Sequence, residues 1–118
     1  MRFDHTDRLT DQPCLTFCFA TAEEQRTVCM WEGYFDAAMV RVPPDPQGWT
    51  GWARLYHLDE GWYEADTWHT TDLQTPLHQL GGLELQPLQP DCRTAMEDLL
   101  QCLRWGVRVG ATLTVTRD

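Results

Sequence analysis

Hydrophobic and polar residues alternate along residues 14 to 20, with Leu15, Phe17 and Phe19 on one side and Cys14, Thr16 and Cys18 on the other. A period of two is the signature of a strand with one buried face. Gln25 to Gly33 reads as its hairpin partner across the polar Thr21–Glu24 turn, and Tyr34 to Val42 continues as a further strand after a bend at Gly33. The proline-rich run from Val42 to Gly48 is then a surface loop, too short to separate two domains.

A second hairpin signal follows. Gly51 to Leu58 and Trp62 to His69 flank Asp59-Glu60-Gly61, a three-residue turn that Gly61 can close because it tolerates the left-handed conformation. That turn sets Leu58 opposite Trp62, Tyr56 opposite Glu64, Arg54 opposite Asp66 and Trp52 opposite Trp68. The register pairs opposite charges and two aromatics, whereas a slip by one would set Leu55 against Asp66.

Beyond it, Thr71 to Gly82 reads as a helical turn that Asp72 can cap and Gly81-Gly82 can stop, although Pro76 would sit inside it. Between 91 and 105 the period changes to that of a helix: Cys92, Ala95, Met96, Leu99, Leu100 and Leu103 form one stripe, opposite Arg93, Glu97, Asp98, Gln101 and Arg104. Pro90 and Asp91 supply a start and Gly106 a stop, and Leu99 and Leu103 at the centre of the stripe should be buried against the sheet. Val107, Val109, Ala111, Leu113 and Val115 then alternate with polar or small residues as a last, half-buried strand. The pattern predicts a single α+β domain. It is a mainly antiparallel sheet of about five to six strands, with one amphipathic helix over 91–105 packed on one face.

Composition narrows the function classes. Six Trp, four Phe and three Tyr among 118 residues give enough apolar surface for a folded core. All nine cations are Arg, scattered singly against a net charge of −9, which argues against a nucleic-acid ligand. The acids are also dispersed, without the dense rows of a nucleic-acid mimic. The opening residues MRFDHTDRLTDQ lack the apolar run of a secretion signal, and no stretch approaches the ~20 apolar residues of a membrane span, so a cytoplasmic location and no membrane contact are expected. Five cysteines, an odd number without close pairing, read as buried thiols rather than bridges or metal ligands.

The chain contains no Lys, Ser, Asn or Ile. Without Lys there is no Walker-type phosphate loop and no Schiff base, and without Ser no serine nucleophile. Asp4/His5/Asp7, His69/Asp72 and Cys14/Cys18 are the candidate metal pairs, and none has a diagnostic spacing. Cys14 and Cys18 share a strand face but lie roughly 13 Å apart along it, too far for one ion at ~2.3 Å from each. A Cys nucleophile served by a His is allowed by composition, yet every Cys sits in an apolar run that would raise its pKa. Glu64 and Asp66 share a strand face with Trp62 and Trp68, a grouping found in sugar sites. A glycosidase needs its carboxyls about 5 to 9.5 Å apart across a cleft, however, and neighbours on one exposed strand rarely provide that. His57, His69 and His78 need no special role, and no metal or cofactor is expected.

Two functional readings remain. One is a non-enzymatic protein-binding module of bacterial type, such as an immunity, antitoxin, inhibitor or chaperone-like protein. It would meet a partner with a basic surface through Trp52, Arg54, Tyr56, Trp62, Glu64, Asp66 and Trp68, and homodimerisation stays open. The other is a small-molecule-binding or hydrolytic domain with a pocket lined by Trp, Tyr, Glu, Asp and His. The hairpin face could equally pack beneath the helix, because the opposite face (Ala53, Leu55, Tyr63, Ala65) is apolar enough to be the core side.

Overall fold

Leu15, Phe17 and Phe19, at most 1% exposed, project from strand β2 (Cys14–Ala20) into the core. The computed structural model of the chain describes residues 2–5, 13–42 and 67–117. A tight turn carries β2 into β3 (Gln25–Trp31): the Thr21 amide donates to the Glu24 carbonyl at 2.8 Å, and the Thr21 hydroxyl accepts from the amides of Glu23 and Glu24. The register sets Leu15 opposite Met30 and Phe17 opposite Val28, so the apolar halves of both strands face the same way. Fully burying such side chains stabilises by roughly 1.5–3 kcal/mol each.

The chain then departs from the expected strand at 34–42. It turns helical as α1 (Glu32–Met39), because Phe35, Ala38 and Met39 recur at helical spacing and are all sealed in the core. Tyr34, Phe35 and Val40 look strand-forming by type, but tertiary burial of one helical face overrides that preference. Gly33 is a helical residue rather than a bend between two strands. The Trp31 ring folds over it so closely that an added Cβ would lie 2.6 Å from the indole.

β4 (Thr67–Thr70) covers the end of the segment expected as the second hairpin; residues 43–66, where the proline-rich loop and the remainder of that hairpin are expected, lie outside the described residues. The helical turn after it is a two-turn helix, α2 (Gln74–Gly81). Leu73 rather than Asp72 stands at its N-cap; Asp72, one residue earlier, still accepts the Thr75 amide at 3.2 Å and the Thr75 hydroxyl at 2.7 Å in the first turn. Pro76 is the third helical residue, where its missing N–H removes no intrahelical bond.

α3 (Pro90–Val109) runs further than 91–105. Gly106 does not stop it. Gly110 does, in the left-handed conformation at φ 72°, with the Ala111 amide closing on the Gly106 carbonyl at 2.9 Å. Val107 and Val109 therefore belong to the helix, and the last strand is β5 (Thr112–Arg117), with Leu113 and Val115 buried. Leu99 and Leu103 are fully buried, as their place in the stripe requires.

The N-terminal segment supplies a strand the pattern did not reveal, β1 (Arg2–His5), which pairs in parallel with β3. The sheet order is β1-β3-β2-β5-β4, and the remaining pairings are antiparallel. The sheet is thus mixed rather than mainly antiparallel, and three helices rather than one accompany it among the described residues. The α+β class holds. α3 packs across β1, β2 and β3, with α1 and α2 against its flanks, and Phe17 meets Phe35 at 5.4 Å between ring centroids.

Candidate functional site

Of the seven residues expected to meet a partner, Trp52, Arg54, Tyr56, Trp62, Glu64 and Asp66 lie outside the described residues. Trp68 falls in β4, at the register position opposite Val115 of β5. Next to it His69 pairs with Thr114, the His69 Nδ1 standing 2.9 Å from the Thr114 hydroxyl. β5 is in turn paired with the central strand β2, so the end of the predicted hairpin is tied to the middle of the sheet.

The strand registers also define the sheet face turned away from the helices. Thr16 lies between Cys29 and Thr116, and Cys18 between Thr27 and Thr114, which makes this face a field of short threonine and cysteine side chains. The Thr16 hydroxyl contacts the Cys29 sulfur at 3.6 Å, and the Gln25 amide donates to the Cys18 sulfur at 2.6 Å. Cys14 and Cys18 are half-buried, Cys29 is buried, and none of the five cysteines is in a disulfide.

Of the metal pairs considered from sequence, Asp7 lies outside the described residues. His5 bonds elsewhere, Asp72 is engaged by Thr75, and among the described residues no group of three or more His, Cys, Asp or Glu side chains could hold an ion. Those hydrogen bonds from Thr75 hold the Asp72 carboxyl below its ordinary value.

Three polar clusters went unforeseen, because each joins residues far apart in the chain. His5 Nε2 lies 2.8 Å from Asp98 Oδ2 and ties β1 to α3. Arg117 Nε donates to Glu32 at 2.7 Å, tying the end of β5 to the start of α1; Glu32 is the one buried charged residue among those described. Its position in the first turn of α1 also suits the helix dipole. Arg26 lies over the Trp105 ring at 4.3 Å and donates from Nε to Glu24 at 2.8 Å. The only local hint of any of these was an acid or base breaking an otherwise regular pattern, as Arg26 does opposite Phe19.

The buried thiols belong to the same framework. Burial pushes Cys102 up to about 11, with Arg26 opposing and Asp98 adding to the rise. Cys92 is likewise raised by burial, and its thiol donates to the Tyr34 carbonyl at 3.4 Å. Two open clefts lie on the described surface. One of ≈ 290 Å³ lies between the start of α2 and the end of α3, lined by Asp72, Leu73, Gln74 and Val107 among others. The other, ≈ 540 Å³, lies between the β2–β3 turn and the end of α3, against Glu23, Glu24, Trp105 and Val109. The second has an indole beside two carboxylates, but Arg26 already engages both Trp105 and Glu24.

No family model, no curated protein and no solved structure matches the chain significantly. No described helix is long and apolar enough to cross a membrane.

Proposed function

We propose that the chain is a small, acidic, non-enzymatic protein-binding module, of the bacterial immunity, antitoxin, inhibitor or chaperone-like kind, whose partner carries a basic surface. The observation that carries this reading is how charged groups among the described residues are engaged with one another: His5 with Asp98, Glu32 with Arg117, and Arg26 with Glu24 and Trp105. Groups tied to one another hold elements together, whereas a general acid or base must reach a substrate proton. Cys92 and Cys102, raised by burial, are poor nucleophiles at neutral pH. Both features favour recognition over chemistry.

A net charge of −9 would speed encounter with a basic partner, and tryptophan, tyrosine and arginine are the residues that most often anchor interfaces. We assign the contact surface to Trp52, Arg54, Tyr56, Trp62, Glu64, Asp66 and Trp68, the last of which lies on β4. The test is co-expression with the product of the adjacent gene, followed by calorimetry of the purified pair. Trp62→Ala together with Trp68→Ala should weaken binding by ~2 kcal/mol or more per residue without lowering the melting temperature. Association should slow as ionic strength rises. A double variant that unfolds would make these tryptophans core residues and remove the assigned surface. Turnover of a small substrate would overturn the non-enzymatic reading itself.

A further inference from the structure

We draw no further inference here: the strongest candidate, the open cleft between the β2–β3 turn and the C-terminal end of α3, already has its Trp105 ring and Glu24 carboxylate engaged by Arg26, and nothing in the structure shows what covers the exposed Val109 beside it.

Discussion

Leu73 and Gly106 meet at a distance that leaves no room for a side chain: a Cβ on residue 106 would stand 2.5 Å from Leu73 Cδ1. Leu73, just ahead of α2, is 3% exposed and lines the cleft between α2 and α3, so a Cβ at 106 requires the end of its side chain to shift. The glycine is what lets α2 close on α3. Gly106→Ala should therefore destabilise the protein, even though alanine is the better helix former by about 1 kcal/mol. The check is a double-mutant cycle in denaturant. With Leu73→Ala in the background the penalty at 106 should shrink, giving a coupling energy of about 0.5–3 kcal/mol. Additive effects would show that the two residues do not limit each other.

Gly110 should behave differently. Its φ of 72° is costly for any residue with a Cβ, and nothing lies near the position that Cβ would take. Gly110→Ala should cost about 1 kcal/mol through backbone strain alone, with no coupling to Leu73→Ala. Thermal unfolding of both glycine variants, with and without Leu73→Ala, distinguishes steric from conformational cost.

Leu99 sits at the centre of the α3 stripe and is fully buried. Leu99→Ala should lose ~2–5 kcal/mol from lost burial and the cavity left behind. A loss below roughly 0.5 kcal/mol in equilibrium denaturation, the size expected of a surface change, would refute the packing.

The five thiols should divide by exposure. Cys14 and Cys18 on the outer sheet face should react quickly with a thiol reagent, and Cys29, Cys92 and Cys102 only as fast as the protein opens. A denatured, unreduced sample should titrate all five. Fewer than five would reveal a bridge, and a single fast phase for all of them would contradict the burial pattern.

Cys102 also predicts an alkaline limb of stability. Burial raises the folded-state value to about 11 from an ordinary 9.0, so the folded protein holds the proton more tightly than the unfolded chain does. That preference contributes fully below pH 9.0 and is lost as pH rises towards 11. Replacing the thiol by Cys102→Ala should lower overall stability through the cavity it leaves, yet flatten the decline between those two pH values. An unchanged slope would assign the alkaline limb to other groups.

The β2–β3 hairpin and the buried stripe of α3 were legible in the amino-acid sequence because their causes are local. Alternation along residues 14 to 20, a polar four-residue turn and apolar residues at helical spacing each act within a few positions of one another. That Asp72 serves the start of α2 was readable for the same reason, since its partner Thr75 is only three residues away, although the cap position itself falls to Leu73. What only the tertiary structure decided lies where two distant segments must agree. β1 carries no strong pattern of its own, and it becomes a strand because β3 offers it an edge to pair with. Tyr34 and Phe35 look strand-forming by type, but residues 32–39 are helical, with Phe35 packed on Phe17 and Met39 in the same core. Two glycines four residues apart could each have ended α3; packing against Leu73 made the first a contact and left the second to be the stop. The ties His5–Asp98 and Glu32–Arg117 span 93 and 85 residues, and a one-dimensional reading has no measure of that proximity. Local periodicity selects elements, but the burial and pairing that set their limits and join them come from partners that folding alone brings near.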